Sequence, residues 1–139
     1  MNKLTLDIVT QEKRLLTVET SRVTVETTAG EITILAGHVP LLSRLSEGLL
    51  RYDDDKGVEQ VVAIFGGFLE LNSENSLSIL ADSAVRAEDI DEARAIKAQE
   101  EAKVKMADRG KEAEFAIAEA ALRKTMLELK AAKYGKRSN

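Results

Sequence analysis

The stretch LSILADSAVRAEDIDEARA, residues 77–95, joins two parts of the chain that follow different patterns. From Leu77 to Ala81 apolar residues stand at alternate positions, as in a strand with one buried face. Beyond Ile90 the chain is rich in alanine and charged residues, which favour a helix. The stretch therefore predicts a β domain over residues 1–86 and a helical domain over residues 87–139.

The alternating pattern also occurs upstream, in short runs that are rich in β-branched residues. These runs are LTLDI at residues 4–8, VTVE at residues 23–26 and ITI at residues 32–34. Segments that favour turns lie between the runs, at residues 28–30, 53–57 and 72–75. Several short strands at this spacing predict a sandwich or a barrel.

The downstream part predicts two helices. Asp89 followed three residues later by Glu92 is similar to a capping box, which predicts a helix that starts near Ile90. Residues 108–110, Asp-Arg-Gly, predict its end, and a second helical pattern covers residues 113–134. Because the connection is short, the two helices should form an antiparallel hairpin. The predicted fold class is α+β with the two kinds of structure segregated.

Composition limits the functions that the chain can have. With 139 residues, 44% of them hydrophobic and 32% charged, it has material for one modest core. It has no cysteine, which excludes disulfides and thiolate chemistry, and its net charge of -4 disfavours nucleic acid as a partner. It has neither an apolar run of roughly 18 residues nor a secretion signal, so we expect the protein to stay where it is made.

The residues offer little for catalysis, and we predict no catalytic and no metal-binding residue. His38 is the only histidine, which excludes a multi-histidine metal site. No helix is predicted after Gly66-Gly67, which favours a bulge or a close sheet-to-sheet approach over a phosphate site. Residues 53–55 lack the spacing of a calcium loop and predict a solvated hairpin tip. A serine hydrolase that uses His38 stays open as an alternative, beside a loop histidine bonded to nearby backbone.

Charge divides at the same boundary as structure. Residues 1–86 carry 8 basic and 13 acidic residues, and residues 87–139 carry 12 basic and 11 acidic residues. From Arg123 onward there are six basic residues and one acid, Glu128. This end would be attracted to an acidic partner surface, although basic residues at the end of a helix also complement its dipole.

Three segments carry a family resemblance. They are GEITILAGHVPLL at residues 30–42, GGFLEL at residues 66–71, and ILADSA at residues 79–84 followed by IDEARA at residues 90–95. In this order and spacing they resemble the epsilon subunits of bacterial F-type ATP synthases, over nearly the whole chain. Two residues depart from the family pattern: Thr33 stands where glycine is usual, and Ala36 where proline is frequent. These departures concern local loop geometry.

The resemblance implies an N-terminal antiparallel β-sandwich that contacts the gamma subunit and the c-ring. It also implies a C-terminal antiparallel two-helix hairpin that either lies on the sandwich or rises into the catalytic alpha/beta head, where it inhibits ATP hydrolysis. The chain would then be a non-catalytic rotor subunit of a proton-translocating synthase. It would be peripheral to the cytoplasmic face of the bacterial cell membrane and would require no cofactor.

The resemblance also suggests which residues make contacts. Glu31 and His38 lie in the segment that faces the rotor in the family, so we expect them near the c-ring, although Glu31 as a solvated turn residue stays open. The basic C-terminal end suggests a contact with the beta subunit in the raised state. Its candidate residues are Arg123, Lys124, Lys130 and Lys133.

Some family members bind regulatory ATP on the hairpin through a motif that residues 90–95 match. The candidate nucleotide-binding residues are Ile90, Asp91, Arg94 and Ala95, and a guanidinium group suits a phosphate. Asp91 and Arg94 as an ordinary helical ion pair is the alternative. Other positions depart from the ATP-binding members: Glu101, Lys124 and Glu128 stand where further arginines occur, and Val85 where an acid occurs.

A different class of protein also fits the pattern of a sandwich followed by a hairpin. The chain would then be a free-standing adaptor whose hairpin binds an unrelated partner. Gene neighbourhood would separate this alternative from the synthase subunit.

Overall fold

The computed structural model describes residues 2–107 and 112–138. Strands form the first part of the chain, and they are β1 (Leu4–Val9), β2 (Arg14–Thr20), β3 (Arg22–Thr27), β4 (Gly30–Leu35), β5 (Leu41–Asp53), β6 (Glu59–Leu71), β7 (Ser76–Ala81) and β8 (Ala84–Arg86). A 3₁₀ turn over Ala87–Asp89 leads to the helices α1 (Glu92–Ala107) and α2 (Glu112–Ser138). The predicted α+β fold of a β-sandwich followed by two helices is confirmed.

The strands are hydrogen-bonded in the order β2-β1-β7-β6-β5-β3-β4, and β8 pairs with β6. All of these pairs are antiparallel except β1 with β7, which is parallel. The prediction of a purely antiparallel sandwich is therefore corrected at this one pair. Alternation of apolar residues gives the buried face of a strand but not the direction of its neighbour, so the sequence pattern could not show it.

The long strands β5 and β6 belong to both layers of the sandwich. In β5 the core-facing residues change from odd numbers, as at Leu45, to even numbers, as at Leu50. In β6 they change from even numbers, as at Ile64, to odd numbers, as at Leu69. Since successive side chains of a strand point to opposite faces, both strands bend between these positions and pass from one layer to the other.

Gly67 lies at this bend in β6. Its φ is 132°, and a Cβ at this position would lie 2.1 Å from the carbonyl oxygen of Leu80. Gly66 has a φ of 85°, and its carbonyl oxygen accepts a hydrogen bond from the Asp82 amide at 3.0 Å. The close approach at Gly67 is made by the neighbouring strand β7, where Gly67 pairs with Ala81, and not between sheets as predicted; only glycine leaves room for β7 here.

The first helix begins two residues later than the sequence suggested. Residues 87–89 form a 3₁₀ turn and Ile90 is extended, so the prediction of a helix that starts near Ile90 with Asp89 as its cap was wrong. Asp91 is the cap: its Oδ1 accepts a hydrogen bond from the Arg94 amide at 3.2 Å, and its carbonyl oxygen accepts one from Ala95 at 3.0 Å. The helix end predicted at residues 108–110 lies outside the described residues.

The hairpin packs on the sandwich through α2. Its contact with β6 and β5 forms a second apolar cluster, separate from the sandwich core and small by comparison. The buried members are Leu49, Val61, Ala63 and Ala131, and the partly buried members are Phe65, Ala87, Ile90, Leu127 and Tyr134. Because several of these side chains are alanines, the cluster removes little apolar surface from water per residue.

Candidate functional site

Three cationic side chains join the hairpin to the sandwich. Nη1 of Arg51 on β5 donates a hydrogen bond to the Tyr134 hydroxyl on α2 at 2.5 Å. Nε of Arg123 lies 3.9 Å from Oε2 of Glu47, and Nζ of Lys124 lies 5.6 Å from the centroid of the Phe65 ring. The contacts lie beside the small apolar cluster, and each adds a modest polar or cation–π contribution to the docking.

Arg51 also belongs to a chain of ion pairs on the surface of the sandwich. Its Nη2 lies 3.4 Å from Oε1 of Glu31, and its Nη1 lies 3.9 Å from Oε2 of Glu59. Glu59 in turn approaches Arg22 at 3.8 Å, and Arg22 pairs with Asp53 at 3.2 Å. The ion pairs run from Glu31 through Arg51, Glu59 and Arg22 to Asp53, and the Arg51 side chain in this chain is 22% exposed.

The structure separates the four basic residues predicted to contact a beta subunit. Arg123 and Lys124 contact the sandwich, and Arg123 also pairs with Glu119 at 3.3 Å on its own helix. Lys130 and Lys133 are exposed. With the hairpin in this position, two of the four residues are already engaged by the sandwich, and two face solvent.

Glu31 and His38, the residues predicted to lie near the c-ring, come from β4 and from the loop that follows it. The Glu31 side chain is 55% exposed, while its carboxylate is paired with Arg51. His38 is exposed, and its Nδ1 lies 2.7 Å from the backbone oxygen of Val39. The expected bond between this ring and nearby backbone is confirmed. Asn75 holds the loop, because its Oδ1 accepts a hydrogen bond from the Gly37 amide at 2.8 Å.

A cleft of about 440 Å³ lies between β8, the start of α1 and the middle of α2. It brings together all four residues predicted to bind nucleotide with three of the positions that depart from the ATP-binding pattern. These residues are Ile90, Asp91, Arg94, Ala95, Val85, Lys124 and Glu128. Glu101 is exposed on α1 and is not part of the cleft lining.

The charges of this cleft fit a polyphosphate poorly. Its lining includes the carboxylates of Asp89, Asp91 and Glu128, and only Arg94 and Lys124 are cationic. The carboxylate of Asp91 caps the helix by accepting a bond from the Arg94 amide. This interaction takes the place of the ordinary ion pair considered from the sequence, and it accounts for Asp91 without a ligand.

A row of exposed apolar side chains on the other end of the sandwich was missed by the sequence reasoning. Phe68 on β6 lies between its cross-strand partners Arg44 on β5 and Leu80 on β7. Leu42 is 73% exposed, Leu80 is 52% exposed and Phe68 is 48% exposed, with the Arg44 guanidinium 5.6 Å from the Phe68 ring centroid. Residues Leu42, Phe68 and Leu80 are called the apolar face below. The signal was available, since Leu80 is an apolar residue at an outward position of an alternating strand.

The acidic run at residues 53–55 is a hairpin tip, as predicted. Oδ1 of Asp54 accepts hydrogen bonds from the amides of Lys56 at 2.9 Å and Val58 at 2.8 Å. The Val58 amide, then the Lys56 amide and the Gln60 side chain, lower the pKa of Asp54 below its usual value. Elsewhere in the sandwich, burial raises the pKa of Tyr52.

Within residues 2–107 and 112–138, no three His, Asp or Glu side chains come together as a metal site. Across the same part of the chain, no helix combines the length and the apolar character needed to cross a bilayer.

Together, the fold and these surfaces define a protein that binds partners, with a rigid sandwich and a helical hairpin docked on it. Comparison with protein families makes this specific. Residues 3–87 match the family described as ATP synthase, Delta/Epsilon chain, beta-sandwich domain, and residues 88–133 match the corresponding long alpha-helix domain. The chain belongs to the ATP synthase delta/epsilon chain family.

Individual relatives agree with this membership. An ATP synthase epsilon chain of Herpetosiphon aurantiacus is 42% identical over 128 residues, covering 92% of this chain and 93% of the relative. One from Symbiobacterium thermophilum is 45% identical over 93 residues, covering 67% and 66% of the two chains. Among solved structures, a chain of the Euglena gracilis mitochondrial ATP synthase, OSCP/F1/c-ring, gives a TM-score of 0.78 at 29% identity, covering 96% of this chain and 82% of that one.

These relatives confirm the resemblance that the three sequence segments carry. The chain is an epsilon-type subunit of ATP synthase, which is a part of a rotary complex and not an enzyme by itself. The alternatives of a free-standing adaptor and of a hydrolase lose their support.

Proposed function

We propose that this subunit couples rotation of the c-ring to the gamma subunit through its sandwich, and that it inhibits ATP hydrolysis through its hairpin. The observation that carries the proposal is the division of the sandwich surface. The apolar face lies at one end of β5 and β6 and is exposed, whereas the hairpin is docked at the other end of the same strands. One end is therefore available to a rotor partner while the other holds the hairpin.

The apolar face is the proposed contact with the gamma subunit. Phe68 and Leu80 are cross-strand partners, and Leu42 lies two residues before Arg44, the other partner of Phe68. All three expose apolar surface, which is the kind of surface that stable subunit contacts cover. The Arg44 guanidinium beside Phe68 adds a group that is frequent at the centre of interfaces. Glu31 and His38, on β4 and its following loop, are the proposed contacts with the c-ring. The similar Euglena chain belongs to an assembly described as containing F1 and the c-ring, which supports a place for this subunit in such an assembly.

The hairpin is the proposed inhibitory part. It is held by a small apolar cluster and three cationic contacts, so a docked and a raised position can differ by only a few kcal/mol. Raising it would free Arg123 and Lys124 from the sandwich. These two side chains, with Lys130 and Lys133, would then meet acidic surface on a catalytic beta subunit of the alpha/beta head.

Regulatory ATP in the cleft beside Arg94 stays a prediction, and the charges of the cleft lead us to propose weak binding. Glu128 lines the cleft and stands where the ATP-binding members have a further arginine, which would favour phosphate. Contact with the c-ring would place the subunit at the periphery of the membrane, on its cytoplasmic face in a bacterium.

An add-back experiment tests the proposal. A cognate F1 complex depleted of its epsilon subunit receives either the full chain or a truncation that ends at Arg86, which keeps the sandwich core intact. We expect both to bind and only the full chain to slow ATP hydrolysis. Inhibition by the truncation would assign the effect to the sandwich, and failure of both to bind would remove the proposed gamma contact.

A further inference from the structure

We infer that Arg51 is a clasp that links the exposed edge of the sandwich at Glu31 to the docking of the C-terminal end of α2 at Tyr134. The three residues come from β4, β5 and α2, and their side chains meet at one point on the surface. Any partner that engages Glu31 would therefore change how firmly the end of the hairpin is held.

The contact between Arg51 and Tyr134 uses both parts of the tyrosine. Nη1 of Arg51 donates to the phenol oxygen, and the guanidinium carbon lies 5.2 Å from the centroid of the ring. A hydrogen bond and a cation–π interaction therefore act on the same side chain. Tyr134 is also part of the apolar cluster beneath α2, to which α2 contributes Leu127, Ala131 and Tyr134. Tyr134 has the largest side chain of these three residues, so the clasp acts on the largest apolar contact at the C-terminal end of α2.

The two terminal nitrogens of the Arg51 guanidinium group contact different partners. Nη1 faces Tyr134 and Glu59, while Nη2 faces Glu31. A lysine would place a single ammonium group and could not span the same positions with planar geometry. Glu31 thus helps to hold the plane of the guanidinium in the orientation that Tyr134 requires.

Glu31 is the accessible arm of the clasp. Its side chain is 55% exposed, compared with 22% for Arg51 and for Glu59. A cationic group of a partner would compete with Arg51 for the Glu31 carboxylate. Arg51 would then be oriented mainly by Glu59, at the longer distance of 3.9 Å, and its bond to Tyr134 would weaken. Contact at the β4 edge would in this way favour release of the hairpin.

Hydrogen exchange on the isolated full chain tests the clasp. The backbone amides of residues 127–135 report docking of this end of α2, and those of β1 and β7 report the sandwich. We expect Arg51→Lys and Tyr134→Phe each to speed exchange in residues 127–135 by about fivefold, with the sandwich unchanged. Combined, they should speed exchange by clearly less than the product of the two single effects, because both remove the same interaction.

Arg44→Lys is the matched control. It lies on the same strand and also places its guanidinium over an aromatic ring, but its ring partner is Phe68 on the apolar face. Unchanged exchange at residues 127–135 in Arg51→Lys, or an equal increase in Arg44→Lys, would overturn the inference.

A second set of variants tests the arm at Glu31. Glu31→Gln should speed exchange at residues 127–135 by about threefold, and Glu31→Lys by more, because a cation then faces Arg51. In an Arg51→Lys background the effect of Glu31→Gln should vanish, and Glu70→Gln on the apolar end should have none. An equal effect of Glu31→Gln in both backgrounds would show that Glu31 acts without the clasp. The contact of Glu31 with a c-ring rests on the proposed function, but these measurements need no synthase, so the two ideas can fail separately.

Discussion

The hydroxyl group of Tyr134 accepts a hydrogen bond from Nη1 of Arg51, a residue 83 positions earlier in the chain. This bond joins α2, near its C-terminal end, to β5, beside the small apolar cluster under the hairpin. If the hairpin rises as proposed, this bond breaks.

Replacing Leu80 should weaken binding to the gamma subunit without unfolding the sandwich. Leu80→Ser removes an apolar side chain that is 52% exposed, so we expect a loss of less than about 1 kcal/mol in unfolding free energy. Affinity for a purified cognate gamma subunit, measured by calorimetry, should fall by at least about tenfold. Ile117→Ser on α2, which is 71% exposed, is the control and should leave the affinity unchanged. An unchanged affinity for Leu80→Ser would place the gamma contact elsewhere.

Reversing two exposed charges on α2 should weaken inhibition. Lys130→Glu combined with Lys133→Glu should reduce inhibition of ATP hydrolysis several-fold at low salt, and the difference should shrink as salt rises. Neither side chain is engaged in the docked hairpin in the way that Arg123 is, so docking should persist. The same double reversal at Lys97 and Lys105 of α1 serves for comparison. If inhibition at low salt stayed at the wild-type level, the electrostatic account would be wrong.

A single substitution should convert the cleft into a better nucleotide site. Glu128→Arg exchanges a carboxylate for a guanidinium group in the cleft lining, and we expect ATP to bind at least about tenfold more tightly in equilibrium dialysis. Glu101→Arg makes the same change of charge outside the cleft, and its effect should be small. An equal gain in ATP affinity in both variants would show that net charge alone causes the effect. No gain in either variant would show that the cleft does not bind the nucleotide.

The glycine at the bend of β6 should be essential for stability. Gly67→Ala would place a Cβ 2.1 Å from the Leu80 carbonyl oxygen at a φ of 132°, and we expect a loss of about 2–4 kcal/mol in urea unfolding. Gly57→Ala is the matched control, since its φ of 78° is also positive but nothing lies within 4 Å of the added carbon. Its cost should be about 1 kcal/mol. Similar costs at the two sites would contradict the argument from close approach.

Lowering the pH should destabilise the hairpin tip by protonating the carboxylate of Asp54. The pKa of its carboxyl is lowered in the folded chain from 3.8 by amide donors, so the ionised form is favoured by folding. The contribution of Asp54 to the free energy of unfolding is therefore present above about pH 3.8 and is lost as pH falls through the lowered pKa. Asp54→Asn should flatten the dependence of unfolding free energy on pH in this window. Parallel curves for the two proteins would show that the tip carboxylate is not involved.

The sequence predicted the elements better than it predicted their arrangement. Alternation identified Leu77 and Ile79 as core residues, and the turn residues marked the hairpin tip at Asp54, because these patterns are local. The parallel pairing of β1 with β7 was missed, since strand direction depends on residues far apart in the chain. The cap of α1 was assigned two residues early, because Asp89 and Asp91 are both good caps and only the 3₁₀ turn decides between them.

The candidate sites show the same limit. Ile90, Asp91, Arg94 and Ala95 were predicted from a motif, and the structure places these four residues around one cleft. Arg51 was not identified, because nothing in its local sequence marks it, and its importance comes from contacts with β4 and α2. Arg123 and Lys124 were predicted, from their charge and the family resemblance, to contact a beta subunit in the raised state, and in the docked hairpin they lie near Glu47 and Phe65.

The passage of β5 and β6 from one layer to the other also has a mechanical meaning. Each strand has 13 residues, roughly 40 Å of extended chain, and the pair is hydrogen-bonded from Leu41 with Leu71 to Asp53 with Glu59. A load applied at Phe68 would thus reach Arg51 through the paired strands β6 and β5, without crossing a loop. This path bends at Gly66 and Gly67, so under the proposed coupling a transmitted load would pass through two residues that have no side chain.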